Sequence, residues 1–260
     1  MKIGFIGCGN LGSSMIRGLL DARVARAEDL IAMDVDAGKL EGLRKLGVKA
    51  TTDYGDILGA DVILIAVKPD LVARILDELN LSEDKLLISV AAGVSIETLE
   101  RHTRARVVRV MPNICCRVAE MASAFALGNR VKPEDEEVVR RLLGSLGLAL
   151  KVDEGTMNAV TGLSGSGPAY IFLLIQSLME AGIELGLSKE EAFKLAAQTV
   201  KGSGEMALRS GADLKELIDM VSSPKGTTVE GMKVLRDSGV PEAFKKAVKA
   251  AARRAEELSR

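Results

Sequence analysis

Residues 3–12 read Ile3-Gly4-Phe5-Ile6-Gly7-Cys8-Gly9-Asn10-Leu11-Gly12, and this stretch decides the fold. Its apolar first half is typical of a buried strand, and residues 11–22 carry apolar side chains at helical spacing. The three glycines therefore stand between a strand and a helix. There, Gly-x-Gly-x-x-Gly is a dinucleotide-binding fingerprint, because it lets the backbone approach a pyrophosphate at the helix N-terminus. We expect the cofactor to contact the whole turn, which comprises Ile6, Gly7, Cys8, Gly9, Asn10, Leu11 and Gly12.

Strands and helices alternate through residues 1–153. Beyond the fingerprint, the spacing predicts strands at 30–35, 48–51, 61–67, 86–91, 106–111, 123–127 and 148–152, with helices at 39–46, 71–79, 96–102 and 133–146. The run 61–67 is almost continuously apolar, as a parallel strand covered on both faces should be. Such alternation is typical of a doubly wound parallel sheet. We therefore place an α/β, Rossmann-type dinucleotide-binding domain at residues 1–153.

The predicted strands stop after Asp153. Helical spacing covers 156–163, 168–186, 189–209, 213–221, 227–237 and 242–258, so residues 154–260 are expected to form an all-α domain. The helix at 168–186 is apolar on nearly every side before Glu180, and a helix that is apolar all round must be buried all round. A small domain has little material to cover it. We expect this helix in a subunit interface; the alternative is a helix in the core of its own domain.

Composition excludes several classes of function. Lys and Arg total 35 against 36 Asp and Glu, so the basic excess of a nucleic-acid binder is missing. The longest apolar run is too short to span a bilayer. One histidine excludes a zinc site built on several imidazoles. The three cysteines do not make a disulfide framework, which favours a reducing cytoplasm. We expect no metal, no nucleic-acid partner and no membrane.

Asp34 ends the second predicted strand, where folds of this kind place an acidic residue. A carboxylate there accepts hydrogen bonds from the adenosine ribose and repels a 2′-phosphate, which favours NADH. In the alternative, Asp34 turns away, and Lys39 with Ser13 holds the phosphate of NADPH.

Loops that follow the later strands lie at the same edge of the sheet, where ligands bind. We therefore expect a group of these loop residues at the nicotinamide end of the cofactor. An alternative for Lys68 is a solvated lysine in a loop. The group comprises Val67, Lys68, Pro69, Ala91, Ala92, Gly93, Met111, Pro112 and Asn113.

A second polar loop opens the predicted helix 227–237. It reads Ser222-Ser223-Pro224-Lys225-Gly226-Thr227-Thr228. Free backbone amides, hydroxyls and a helix N-terminus would together suit an anion. The alternative is an ordinary helix N-cap with a proline turn.

Six motifs distributed over essentially the whole chain resemble those of pyrroline-5-carboxylate reductases. They occupy residues 5–12, 66–69, 91–94, 109–113, 162–170 and 221–228, and the last two together are highly specific. The resemblance implies reduction of 1-pyrroline-5-carboxylate to L-proline with NAD(P)H, the last step of proline biosynthesis. It also implies a homodimer with interlocked helical domains, sometimes assembled into decamers.

The resemblance further implies a substrate site. Ser223, Gly226, Thr227 and Thr228 would hold the substrate carboxylate, with Thr228 as the catalytic hydroxyl at the ring nitrogen. Glu154 matches a family position near the substrate.

The sequence departs from the family pattern at two places. Lys225 replaces a family glycine, and Ile114-Cys115 follows Asn113 where the family usually reads Thr-Pro. These differences concern substrate contacts rather than the reaction class. For Lys225, capture of the carboxylate and a solvated side chain are equal alternatives. The family more often uses NADPH, against the interpretation of Asp34.

Two rival functions remain open. A β-hydroxyacid dehydrogenase shares the two-domain plan but carries a catalytic lysine on the long helix, and none occurs at 168–186. A non-catalytic NAD(P)-sensing protein would have no use for an anion-binding loop in its helical half.

Overall fold

The computed structural model describes residues 1–258, and the chain folds into two compact units. The first unit comprises Met1–Ser166 together with the chain from Val248 onward, and the second comprises Gly167–Ala247. The first contains every strand of the described chain, and the second is entirely helical. The predicted class, a Rossmann-type sheet followed by helices, is confirmed.

One eight-stranded sheet forms the centre of the first unit. Its strands, in chain order, are β1 (Ile3–Ile6), β2 (Leu30–Met33), β3 (Lys49–Thr51), β4 (Val62–Ile65), β5 (Leu86–Ser89), β6 (Arg106–Met111), β7 (Met121–Leu127) and β8 (Gly147–Lys151). Their order across the sheet is β3-β2-β1-β4-β5-β6-β7-β8. The winding reverses between β1 and β4, and such a switch point opens a ligand crevice at the carboxyl ends of the strands.

The last two strands, β7 and β8, depart from the expected parallel arrangement. β7 runs antiparallel to β6, with Val110 opposite Phe125, whereas the other neighbouring strands pair in parallel. Only a short connection containing the 3₁₀ turn Ile114–Val118 joins β6 to β7. A parallel pairing would need a crossover of a dozen residues or more, usually a helix.

The helices follow the predicted order. Those of the first unit are α1 (Asn10–Asp21), α2 (Ala37–Arg44), α3 (Pro69–Leu79), α4 (Ile96–Arg101), α5 (Pro133–Gly144) and α6 (Met157–Val160). A π-helical turn, Thr161–Gly165, extends α6. The remaining helices are α7 (Gly167–Glu184), α8 (Lys189–Arg209), α9 (Leu214–Met220), α10 (Thr227–Asp237) and α11 (Val240–Leu258), which ends within the first unit.

Two apolar layers cover the sheet, one on each face. Phe5 packs in a cluster with residues of α1, α2 and α5, and the next residue, Ile6, packs in a separate cluster with residues of α3 and α4. Successive strand residues point to opposite faces, so both faces must be apolar. This sandwich keeps the loops at the carboxyl ends of β1, β4 and β5 on a rigid support.

The second unit lacks a comparable core within the chain. Of residues 167–247, only Ala192 and Ala196 are buried. Gly182 on α7 lies against Ala192 on α8, so the two helices approach closely through small residues. Phe172 and Leu173 of α7 remain 60% and 65% exposed. The chain therefore leaves uncovered the helix that its apolar composition requires to be buried.

Candidate cofactor and substrate site

Two glycines of the fingerprint are required by the conformation and packing of the backbone, independently of any ligand. Gly7 has φ +94°, a conformation that other residues rarely adopt, and its N–H donates to the Met33 carbonyl at 2.8 Å. A Cβ on Gly12 would collide with the Gly7 carbonyl oxygen. These positions therefore allow strand β1 to turn directly into helix α1.

Gly9 differs because it faces open space. A Cβ placed there meets no atom within 4 Å. Gly9 is also the N-cap of α1, which has no side-chain cap and no acidic residue in its first turn. The unsatisfied amides and positive dipole end of such a helix favour an anion. The residues present therefore fit the pyrophosphate of a dinucleotide.

A cavity of about 320 Å³ extends from this turn along the switch point. The predicted cofactor residues Ile6, Gly7, Gly9, Asp34, Val67 and Lys68 line it. The sequence analysis missed Tyr54 and Arg74, which also line it. Arg74 could have been predicted from the sequence, because its helix begins at the ligand edge of the sheet. It lies three residues after Leu71, which also lines the cavity.

The other predicted cofactor residues do not belong to the lining of this cavity. Cys8, Asn10, Leu11 and Gly12 belong to the turn and to the start of α1, and Pro69 is the first residue of α3. Ala91 and Ala92 follow β5. Burial, followed by the nearby Asp34 carboxylate, raises the pKa of the Cys8 thiol to about 12. Cys8 is therefore a thiol at neutral pH and no nucleophile.

Asn113 is buried beyond the end of β6. Its Oδ1 accepts from the Cys115 N–H at 3.1 Å, and its Nδ2 donates to the Ser164 carbonyl, also at 3.1 Å. The side chain thus attaches the β6–β7 connection to the π-helical turn. Its contact with a cofactor stays a prediction.

Glu154 is anchored within the first unit. One carboxylate oxygen, Oε1, accepts from the Ile96 N–H at 2.6 Å and from Arg109 at 3.1 Å. Arg109 is 5% exposed, and its Nη2 has no hydrogen-bond partner among the described residues. Glu154 therefore joins the start of α4 to strand β6. Sequence spacing gave no sign of this ion pair, because its members lie 45 positions apart.

The second polar loop belongs to the helical unit. Gly226 is the N-cap of α10, no side chain caps this helix, and a Cβ on Gly226 would collide with Ser223. Thr227 opens the helix, and Thr228 is half-buried in its first turn. The loop therefore places two threonine hydroxyls at a helix N-terminus that no side chain caps, with the acidic Glu230 also in the first turn.

Lys225 has φ +59°, in the left-handed region that favours glycine. The loop therefore places a lysine in a conformation that glycine adopts with less strain. Its side chain is exposed.

Two kinds of feature are missing from residues 1–258. No cluster of three or more His, Cys, Asp or Glu side chains could hold a metal ion there. No helix in that range is long and apolar enough to cross a membrane.

Comparison with known proteins identifies relatives over the full length. The chain is 42% identical to a pyrroline-5-carboxylate reductase of Methanosarcina acetivorans, over 100% of this chain and 98% of the relative. The chain belongs to the pyrroline-5-carboxylate reductase family. Residues 154–258 match the family model for pyrroline-5-carboxylate reductase dimerisation, and residues 2–93 match a model described as NADP oxidoreductase, coenzyme F420-dependent.

Solved structures of pyrroline-5-carboxylate reductases have the same fold. The enzyme of Coxiella burnetii is 37% identical, with a TM-score of 0.91 over 100% of this chain and 98% of that one. The Plasmodium falciparum enzyme, solved with NADP bound, is 31% identical, with a TM-score of 0.92 over the same shares. The dimerisation model begins at 154, immediately after the strands end, whereas the compact units divide at Ser166.

Proposed function

We propose that this protein reduces 1-pyrroline-5-carboxylate to L-proline with NAD(P)H, as the last step of proline biosynthesis. The observation that carries the proposal is the open space over Gly9 at an uncapped helix N-terminus, in a chain that belongs to this family along its whole length. We assign residues 1–153 to cofactor binding and residues 154–260 to substrate binding and dimerisation.

The first domain positions the cofactor, which supplies a hydride when bound. The turn from Gly7 to Gly12 would hold the pyrophosphate, and Asp34 would hold the adenosine ribose. At the other end, the loops after β4, β5 and β6 would support the nicotinamide through Val67, Lys68, Pro69, Ala91, Ala92 and Asn113. Their strands are adjacent and parallel, with Ile65, Ser89 and Arg109 in register.

The second polar loop would hold the substrate. A cyclic imine carries a carboxylate and few other handles, so the carboxylate must determine its orientation. Ser223, Gly226 and Thr227 offer donors for it, and α10 adds the positive end of its dipole. Thr228 Oγ1 would contact the ring nitrogen, with any proton relay through water. A protonated imine is already an electrophile, so positioning suffices and no protein nucleophile is required.

Glu154 would act near the substrate by holding neighbouring parts of the first unit in position. Its bonds to Arg109 and to the Ile96 N–H hold the start of α4, which follows the loop containing Ala91 and Ala92. We propose that Glu154 acts by positioning this loop.

The assembly we propose is a homodimer built on α7, with a decamer as a further level. The match to the dimerisation model and the exposed apolar face of α7 support it. Free thiols at Cys8, Cys115 and Cys116 support a reducing compartment, and we propose the cytoplasm.

Substitution of Thr228 tests the substrate assignment. Thr228→Ala removes a donor used in the transition state, which should raise the activation free energy by about 1.5–3 kcal/mol. The kcat/KM for 1-pyrroline-5-carboxylate should therefore fall roughly 10- to 150-fold. Thr228→Ser keeps the hydroxyl and serves as the matched control, with activity close to that of the wild type. Full activity in Thr228→Ala would remove this loop from the mechanism.

A further inference from the structure

The adenosine end of the cavity contains a carboxylate that the fold holds in place. Asp34 is 6% exposed and lines the cavity. Its Oδ2 accepts from the Cys8 N–H at 2.8 Å, and its Oδ1 accepts from the Asp36 N–H at 2.9 Å. The first bond attaches the carboxylate to the glycine turn itself. Asp34 therefore cannot turn away without losing its hydrogen bond to this turn.

Lys39 and Ser13, the two groups that the sequence suggested for a 2′-phosphate, already have partners in the protein. Lys39 Nζ lies 3.3 Å and 3.5 Å from the two carboxylate oxygens of Asp34. The Ser13 hydroxyl donates to the Cys8 carbonyl at 2.6 Å. Lys39 and Ser13 are the pair on which the NADPH alternative depended. For NADPH, Lys39 would have to share its charge between Asp34 and the phosphate, and Ser13 would have to give up its bond to the Cys8 carbonyl.

Asp34 is ionised in this environment. Burial alone would raise its pKa, but the N–H groups of Asp36 and Cys8, together with Lys39, outweigh burial, and the pKa of Asp34 is lowered overall. Each of its oxygens accepts one backbone hydrogen bond and one longer contact from Lys39 Nζ, at 3.3 Å and 3.5 Å, so ribose hydroxyls would take the positions that Lys39 now faces. Two ribose hydroxyls need two acceptors, whereas a phosphate brings further negative charge.

We propose that Asp34, paired with Lys39, selects NADH over NADPH in this protein. The inference rests on the proposed function of the cavity as the cofactor site. The two ribose hydroxyls of NADH can donate hydrogen bonds to the fixed carboxylate of Asp34. The 2′-phosphate of NADPH is repelled by that carboxylate, and the repulsion is stronger in this partly buried site than in water. Lys68 and Arg74 are the other charged residues of the lining. Arg74 is exposed on α3, so it is the cation that a phosphate could recruit without disturbing Asp34.

Fluorescence titration of the full-length protein with NADH and with NADPH measures this selection directly, without turnover. We expect wild-type protein to bind NADH at least about tenfold more tightly than NADPH. Asp34→Ser and Asp34→Asn should each shift the ratio of the two dissociation constants toward NADPH by about tenfold or more. Asp34→Asn keeps an acceptor for the Cys8 N–H, so it remains informative if Asp34→Ser loosens the glycine turn.

Two controls isolate Asp34. Asp56→Asn removes one negative charge from a residue that pairs with Lys49 and lies outside the lining, and it should leave the ratio unchanged. Arg74→Ala should weaken NADPH more than NADH if that cation supplies the residual phosphate binding. Equal or tighter binding of NADPH by the wild type would overturn the inference while leaving the proposed function intact. Binding of neither nucleotide would instead overturn the cofactor site itself.

Discussion

Substitution of Gly9 by valine should abolish cofactor binding and leave the fold intact. Gly9 has φ −68° and ψ −163°, in the extended region that valine adopts readily. Its Cβ would meet no protein atom within 4 Å, so the new side chain is placed in the space assigned to the pyrophosphate. Loss of two hydrogen bonds to that charged group costs about 3–6 kcal/mol. The dissociation constant should therefore rise by at least about 100-fold.

The matched control for this variant is Gly12→Val, at the other end of the same turn. There the side chain collides with the Gly7 carbonyl oxygen, so we expect lower thermal stability as well as lost binding. Thermal unfolding reports the fold, and fluorescence titration with NADH reports the site. An affinity of Gly9→Val within about threefold of the wild type, in a folded protein, would refute the assignment of this turn to the pyrophosphate.

Three further substitutions test other parts of the structure. Phe172 is 60% exposed, so burying its ring in a dimer interface would contribute roughly 3 kcal/mol per chain. Phe172→Asp should therefore give a monomer by light scattering. Val118 is 70% exposed in the other unit, and Val118→Asp should leave the dimer intact. Lys225→Gly should raise the free energy of unfolding by up to about 1 kcal/mol in urea denaturation, because glycine adopts the left-handed conformation without the steric strain of a side chain. A decrease in the free energy of unfolding by that amount would show that Lys225 is not strained. Glu154→Gln should lower that free energy by about 1–3 kcal/mol, because buried Arg109 loses its charged partner, and unchanged stability would show that the pair contributes nothing.

Local sequence patterns predicted most of the first unit. Strand β4 was readable from a continuous apolar run and α1 from helical spacing after the glycines, because both signals depend only on neighbouring residues. The antiparallel direction of β7 was not predicted from the sequence. Its residues have the composition of a strand in either direction, and the length of the preceding connection decides the pairing.

Some of the predicted cofactor residues are brought together by the fold. Gly7, Gly9 and Asp34 were identified from their spacing and lie together in one cavity. Tyr54 was missed because strand order, rather than sequence distance, brings it to that cavity, whereas Arg74 lies on a helix whose start at the ligand edge was readable. The conformation of Lys225 was also hidden, since the departure from glycine is visible in the sequence but its positive φ is not.

The most direct test of the central claim is a steady-state assay with 1-pyrroline-5-carboxylate and NADH or NADPH. We predict oxidation of the cofactor that depends on the imine and yields one proline for each cofactor consumed. A protein that binds the cofactor but forms no proline would contradict the claim and support a sensor. Turnover of a β-hydroxy acid in place of the imine would contradict it in favour of the related dehydrogenases.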